Sequence, residues 1–259
     1  MPVDARLAAR AEELLARARG GEITYTAFLT PAEQMGLSRA FAYAREEWCL
    51  CGGYAGAERA RMVFLPDYVT AFTGAERDAL LADALADVLV PVEVLGSGYR
   101  VLAHRDFLGS VLNLGVERDA IGDLCVLSPE RAMLFTDRVM ADFLTKSLVR
   151  VAGDTVRAVC TTLPEGFDGG RRFAPVRDTV ASPRADAVVA ALANLSRERA
   201  QALFVQGKVE IDYESAEKPD RPITDGAVIV IRGCGKFVIR SLSDKTKKGR
   251  YLLLADRYI

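Results

Sequence analysis

Apolar positions near the amino terminus recur at helical spacing. Residues 4–18 repeat Ala and Leu every three or four positions, and Gly20-Gly21 follows them. A second helix begins at Thr30-Pro31-Ala32-Glu33, where a hydroxyl cap, a proline in the first turn and a returning glutamate form a capping box. This helix is expected to continue towards Trp48. The pattern therefore predicts a helical region over residues 1–60.

Beyond Arg61 the apolar runs shorten and alternate with helical patterns. A short strand is predicted at 61–65, and Thr73-x-x-Glu76 predicts another capping box at the start of a helix. The strands and helices expected after residue 88 lie at 88–95, 105–114, 123–127, 131–136, 137–148 and 156–162. Their order, β-α-β-β-α-β, is typical of ferredoxin-like and RNA-recognition-motif (RRM) folds. We therefore predict an RRM-like α/β domain over residues 61–165.

The last third of the chain combines two short helices with a small sheet. Glycine-rich residues 166–170 and the arginines that follow predict a linker over residues 166–180. Helices are expected at 184–194 and 197–206, and strands at 228–231, 236–242 and 250–254. Four apolar helix residues would pack against the sheet: Val188, Leu192, Leu203 and Val205. The predicted fold class is therefore α+β, with a separate domain over residues 181–259.

The composition is that of an ordinary globular protein, with 50% hydrophobic and 27% charged residues. No apolar run approaches the roughly 20 residues that cross a bilayer, and the start Met1-Pro2-Val3-Asp4 lacks a basic and apolar leader. The five cysteines are scattered without framework spacing, which is typical of a reducing compartment. We expect a cytoplasmic protein that has no membrane partner.

Charge is distributed unevenly, although the formal net charge is only -1. Residues 1–170 contain 17 Lys and Arg against 24 Asp and Glu, whereas residues 171–259 contain 17 against 11. Six of the seven lysines lie at Lys208 or later. A basic segment gains Coulomb energy near phosphates and releases condensed counterions, so the last third favours a polyanion as its partner. A solvated basic surface without a partner is the alternative.

Basic side chains on and after the last two helices are the candidate RNA ligands. Arg184, Arg197 and Lys208 come first and Arg199 second, because an arginine fork suits bidentate phosphate contact and helix N-termini attract anions. One strand residue and three lysines of a polar loop complete the set: Lys236, Lys245, Lys247 and Lys248. Asp186 is expected to orient Arg184 or to cap its helix. Solvated arginines and a plain solubilising turn remain the alternatives.

Catalytic and metal-binding motifs are weak in this chain. His104-Arg105-Asp106 is similar to a kinase catalytic loop, but Val111 stands where the metal-binding asparagine is needed. Cys49-Leu50-Cys51 has the wrong spacing for a zinc knuckle, and His104 is the only histidine. We therefore expect no catalytic residue, no metal and no cofactor.

The central domain lacks the aromatic run on which RNA-recognition motifs stack bases. Phe135 is the only aromatic residue of the two predicted hairpin strands, and it is expected to lie in the core. We predict that this domain is a scaffold or a protein-docking surface rather than a base reader.

Motifs in three separated parts of the chain resemble one known family. The residues that are similar to the S4 domain, a small RNA-binding fold, lie at 184–186, 196–197, 207–209, 224–226 and 232–237. Further matches lie at 28–31, 53–54, 57–59, 104–110, 114–118 and 122–124. In this order they resemble the bacterial YlmH family of S4-domain proteins over nearly the whole chain. The turn at 211–214 departs from the pattern because it lacks the usual Asn-Gly, and Ala185 replaces a large aliphatic residue.

The resemblance implies a non-enzymatic RNA-binding protein of the translation apparatus. Family members are associated with the large ribosomal subunit and with the rescue of stalled complexes that retain peptidyl-tRNA, and their S4 domain binds rRNA and tRNA. DNA is not expected as a partner. An RNA-modifying enzyme that uses the S4 domain as a targeting arm is the alternative hypothesis. A docking protein whose central domain binds a protein partner is compatible with the first hypothesis.

Overall fold

Helices and antiparallel sheets alternate along the chain, which confirms the predicted α+β class. The structure is a computed structural model that describes residues 4–242, 246 and 249–259. It divides into two units, Met1–Gly170 and Arg171–Ile259. Within the described ranges, no helix is both long enough and apolar enough to cross a membrane.

The first part of the Met1–Gly170 unit is a small sheet surrounded by helices. Strands β1, β3 and β2 pair antiparallel in that order. The elements are α1 (Ala5–Arg19), β1 (Thr24–Tyr25), α2 (Pro31–Ala40), a 3-10 segment (Ala42–Glu47), β2 (Trp48–Cys51), β3 (Arg61–Phe64), α3 (Asp67–Thr70) and α4 (Gly74–Leu85). The core between α1 and this sheet includes Leu15, Phe41 and Met62, all of which are buried.

Three local expectations for this part have different outcomes. The capping box of α2 is confirmed, because the Glu33 backbone donates to the Thr30 hydroxyl and the Thr30 backbone donates to the Glu33 carboxylate. The prediction of a capping box at Thr73 is wrong, because the Thr73 side chain makes no cap hydrogen bond. The helix that was expected to continue towards Trp48 is interrupted: α2 ends at Ala40, a 3-10 segment covers Ala42–Glu47, and Trp48 begins a strand that pairs with β3.

The second part of this unit has the predicted β-α-β-β-α-β order with one short strand, β7, added before the last strand. It consists of β4 (Val90–Gly96), α5 (His104–Leu112), a 3-10 segment (Arg118–Ala120), β5 (Leu124–Ser128), β6 (Arg131–Thr136), α6 (Arg138–Ser147), β7 (Arg150–Val151) and β8 (Asp154–Cys160). The strands form one antiparallel sheet in the order β5-β6-β4-β8-β7. Helices α5 and α6 contribute Phe107 and Leu144 to the core on one face of this sheet.

The opposite face of the central sheet is covered by residues from elsewhere in the same unit. Phe135 on β6 is fully buried, as the sequence predicts, and the ring of Tyr54 stacks on it with centroids 5.2 Å apart. Phe28 belongs to the same cluster. Asp123 fastens the covering loop, because its carboxylate accepts hydrogen bonds from the Tyr54 hydroxyl at 2.6 Å and from the Glu58 backbone at 2.8 Å.

The Arg171–Ile259 unit is a six-stranded antiparallel sheet with two helices on one face. Its elements are β9 (Phe173–Val180), α7 (Ala185–Ala193), α8 (Arg197–Val205), β10 (Val209–Ile211), β11 (Glu214–Ser215), β12 (Val228–Ile231), β13 (Gly235–Ser241) and β14 (Tyr251–Tyr258). The strand order is β11-β10-β12-β13-β14-β9. Alternate strand residues such as Ile229, Phe237 and Ile239 pack against Val188 and Phe204 of the helices.

Two expectations for the last third are corrected. Residues 173–180 of the predicted linker form β9, which pairs with β14 from Phe173↔Tyr258 to Val180↔Tyr251. The strand looks like a linker in sequence because it is an edge strand with mostly exposed side chains. Val205 is 89% exposed rather than buried, because it lies at the end of α8 on the side away from the sheet.

The packing of Tyr54 and Phe135 yields a stability prediction at Gly53. This glycine has φ +94°, and a Cβ there would overlap the Phe135 ring. We expect Gly53→Ala to lower the free energy of unfolding by about 2 kcal/mol, from backbone strain and overpacking. Gly109 lies within α5 and has nothing within 4 Å of a Cβ, so Gly109→Ala is the matched control and should not destabilise the protein. Urea denaturation measures both; equal stability of the two variants would contradict the prediction.

Candidate nucleic-acid interface

A buried carboxylate brings together the two principal candidate arginines. Asp186, at the start of α7, has no exposed surface. Arg184 donates from Nε and Nη2 to its two oxygens, both at 3.3 Å. Arg197 donates in the same paired way at 3.0 and 3.2 Å. Gln201 adds a third donor at 3.0 Å, and the Ala187 backbone a fourth at 2.9 Å.

The donors around Asp186 keep its carboxyl group ionised. Burial alone would raise its pKa, but the hydrogen bonds from Gln201, Arg184 and Arg197 outweigh burial and lower the pKa from 3.8 to about 2. The cluster therefore holds one negative and two positive charges at neutral pH. Its net charge is positive.

Both guanidinium groups are held by Asp186 and are also exposed to solvent. The side chains of Arg184 and Arg197 are 42% and 51% exposed, while their paired bonds to Asp186 use Nε and Nη2 and not Nη1. An arginine that is already held in one orientation loses little conformational entropy when it binds an anion. The cluster is thus a pre-organised cationic site at the junction of α7 and α8.

Arg199 and Lys208 lie at opposite ends of α8. Arg199 is exposed in the first turn, where its backbone donates to the hydroxyl of the N-cap Ser196 at 3.3 Å. Lys208 is exposed and follows Gly207, whose φ is +62°. At 1.5 Å per helical residue, the last residue of α8, Val205, lies roughly 12 Å from Arg197 along the axis, and Lys208 follows three residues later. Arg199 therefore shares the first turn of α8 with Arg197, but it is two positions further on and lies on a different side of the helix. Lys208 lies beyond the other end of α8.

Lys236 lies on a different surface from the arginine pair. It is on β13, where the neighbouring residue Phe237 packs against the helices, so Lys236 lies on the opposite face of the sheet. Its ammonium group is 5.0 Å from the ring centre of Tyr213 and 4.8 Å from that of Tyr258. The structure does not bring Lys236 together with Arg184 and Arg197. Lys245, Lys247 and Lys248 lie outside the described residues.

The first turn of α7 is already occupied by the chain itself. The Ala185 backbone donates to the Arg221 carbonyl at 2.8 Å, and the Asp186 backbone donates to the Pro219 carbonyl at 2.8 Å. These N–H groups are therefore not available to phosphate. The expected attraction of anions to helix N-termini does not apply to these two groups. A hollow of about 300 Å³ lies beside Arg197, and its lining includes Asn194 and Arg250.

Sequence reasoning missed Gln201 as a donor to Asp186. The only signal is its position four residues after Arg197 on the same helix, which places both side chains on one face. Arg250 was also missed as a neighbour of this site. Its guanidinium donates to the hydroxyl and carbonyl of Thr179 at 3.0 and 2.6 Å, a contact that depends on the unexpected strand β9.

The residues of the rejected kinase-like and zinc-like motifs make structural contacts. Asp106 accepts a hydrogen bond from the Ala103 backbone at 2.8 Å and so caps α5, while Arg105 is 91% exposed. The sulfur atoms of Cys49 and Cys51 are 3.3 Å apart. Among the described residues, no group of three or more His, Cys, Asp or Glu side chains could hold a metal ion.

Comparison with known proteins supports the family resemblance. Residues 94–164 match the family model described as "Putative RNA-binding domain in YlmH". The chain is 29% identical over 232 residues to the "Ribosome-associated protein quality control protein P2" of Bacillus subtilis (strain 168). This match covers 90% of this chain and 86% of the relative. The predicted resemblance to the YlmH type is confirmed. The family description associates the central segment with RNA, whereas we predicted a scaffold or a protein-docking surface there.

One solved structure shares the fold. The "Cell division protein ylmH from Streptococcus pneumoniae" has a TM-score of 0.50 and 18% sequence identity, and covers 64% of this chain and 94% of that chain. At this level of identity the match concerns the fold alone.

The depressed pKa of Asp186 predicts how stability depends on pH. Its folded-state pKa is below the unfolded value of 3.8, so the stabilisation is complete above that value and is lost as pH falls towards 2. Between pH 5 and pH 3 we expect Asp186 to lose about 1 kcal/mol of its contribution. Urea denaturation of Asp186→Asn and of the wild type at both pH values measures this difference. Exposed Glu198 on α8 provides the control Glu198→Gln, and a gap between Asp186→Asn and the wild type that does not change with pH would contradict the assignment.

Proposed function

We propose that this chain, which is similar to the YlmH-type proteins, binds ribosomal RNA and tRNA through the α7–α8 face of its last unit. The observation that carries the proposal is the buried Asp186, which holds Arg184 and Arg197 half exposed beside each other. Such a fixed pair of guanidinium groups suits phosphate oxygens. Contacts with the phosphate backbone of RNA position a protein without reading the RNA sequence. The S4 assignment of residues 181–259 is part of this proposal.

We further propose that the RNA belongs to the ribosome. The relative from Bacillus subtilis is named a ribosome-associated quality control protein, and the match extends over nearly all of this chain. A protein of this kind would act in the cytoplasm on large subunits that retain peptidyl-tRNA, and it would act by binding rather than by catalysis. The central unit would contribute contacts of its own.

Exposed cations provide a cleaner test than the arginine pair. Replacing Arg184 and Arg197 with Ala would leave the buried Asp186 without its main partners, and an unpaired buried charge destabilises a fold. Such a variant would therefore confuse loss of folding with loss of binding. Arg199 and Lys208 are exposed, so their substitution tests binding alone.

We expect the double variant Arg199→Glu, Lys208→Glu to bind total tRNA and large-subunit rRNA at least tenfold more weakly than the wild type. Two lost phosphate contacts should reduce the slope of log K against log salt by up to about 2. Exposed Arg172 and Arg177 provide the control Arg172→Glu, Arg177→Glu, which changes the net charge equally. Filter binding over a salt series measures all three proteins. Equal affinities of the two double variants would contradict the proposed face.

A further inference from the structure

The central sheet cannot use the face on which an RNA-recognition motif stacks bases. That face holds Phe135 and Met133, which are fully or almost fully buried. The rings of Tyr54 and Phe167 pack over it, with centroid distances from Phe135 of 5.2 and 6.1 Å. Any contact between this segment and RNA must therefore involve another surface.

Tyr99 lies on such a surface. The loop of residues 97–101 between β4 and α5 exposes Tyr99 at 84% and Val101 at 83%. Among the aromatic residues in the described ranges, Tyr99 is the most exposed. Its ring lies almost entirely in solvent, so both faces of the ring are available for stacking.

Backbone hydrogen bonds fix both ends of this loop. The Gly96 backbone donates to the Glu130 carbonyl at 2.7 Å, and the Leu102 backbone donates to the Pro129 carbonyl at 2.9 Å. Both acceptors belong to the turn between β5 and β6. The loop is therefore anchored to the adjacent hairpin at the points where it leaves and rejoins the sheet.

A buried carboxylate and an arginine fix the middle of the loop. Asp154 is 2% exposed, and it accepts hydrogen bonds from the backbone of Ser97 at 3.2 Å and from the Ser97 hydroxyl. Arg100 donates from Nη1 to the Ala152 carbonyl at 2.8 Å. Tyr99 lies between these two anchored residues, so the ring is presented by a rigid support. A loop whose backbone is already anchored loses little conformational entropy when it binds.

The charges around Tyr99 favour an anionic partner such as a nucleic acid over an apolar one. Arg100 is exposed beside it, and Arg150 is exposed at the start of β7, two residues before the carbonyl that Arg100 binds. Arg105 is 91% exposed in the first turn of α5. The nearby acidic groups are Glu130 beside Gly98, the buried Asp154, which binds Ser97, and Asp106, which is 3.9 Å from Arg105. Aromatic rings flanked by arginines are the elements with which proteins hold single-stranded RNA.

We propose that the 97–101 loop is a second RNA contact, at which Tyr99 stacks on an unpaired base and Arg100 and Arg150 contact the flanking phosphates. The proposal rests on the proposed RNA-binding function and deepens it. The α7–α8 face would hold the phosphate backbone of structured RNA, whereas the 97–101 loop would hold a single-stranded segment. Stacking of this kind tolerates any base, so no sequence preference is expected.

The test uses a hairpin RNA with a single-stranded tail, in which 2-aminopurine replaces the adenines of the tail. Full-length protein is titrated as wild type, Tyr99→Ala, Tyr99→Phe and the control Tyr68→Ala, whose tyrosine is 51% exposed elsewhere in the same unit. We expect Tyr99→Ala to weaken binding roughly tenfold. The fluorescence quench that reports base stacking should disappear in Tyr99→Ala and persist in Tyr99→Phe and Tyr68→Ala.

Each outcome supports or overturns the proposal. If Tyr99→Ala binds and quenches like Tyr68→Ala while Arg199→Glu, Lys208→Glu loses affinity, the loop proposal is overturned and the proposed function stands. If the wild type binds neither this RNA nor total tRNA and rRNA, both fail together. If Tyr99→Ala keeps full RNA binding but no longer comigrates with intact ribosomes, the loop binds a protein. The proposed RNA contact is then overturned.

Discussion

A carboxylate that is buried in a protein is stable only when several donors surround it, and Asp186 imposes this requirement on the last unit. Two arginines and a glutamine from α7 and α8 meet it. The same contacts align the two helices and hold both guanidinium groups where solvent reaches them. Structure and binding surface therefore depend on one ionised group, and the helix pair could not lose Asp186 without releasing the cations.

The first unit uses the same physical device twice. Asp123 accepts hydrogen bonds from Tyr54 and from the backbone at Glu58, and so closes the loop that covers the central sheet. Asp154 accepts hydrogen bonds from Ser97 and supports the exposed loop that follows β4. In each case a buried or half-buried carboxylate accepts hydrogen bonds from protein hydroxyl and backbone groups in place of water. A segment without regular secondary structure thereby becomes rigid.

The central sheet separates topology from function. Its strand order is that of ferredoxin-like folds, yet Phe28 and Tyr54 cover the face that an RNA-recognition motif leaves open. A shared topology therefore does not imply a shared binding surface. The family description of residues 94–164 as a putative RNA-binding domain and the buried sheet face are compatible only if RNA contacts a different part of the segment.

The sequence by itself determined the features that depend on neighbouring residues. The helix starts at Thr30 and Ser196, the β-α-β-β-α-β order and the pairing of Arg184 with Asp186 all follow from contacts within a few positions. The burial of Phe135 followed from its apolar side chain alone. Fold class and the main candidate cations could therefore be predicted.

Only the tertiary structure decided which distant segments meet. Strand β9 exists because β14, more than 70 residues later, pairs with it, and its own sequence, which contains Pro175 and the polar residues 177–179, does not indicate this. Arg197 joins Arg184 only because Asp186 is buried between α7 and α8, whereas Lys236 faces away because side chains alternate along β13. Local patterns encode periodicity and caps; the partner of a strand and the face of a side chain follow from long-range packing, which a single segment does not contain.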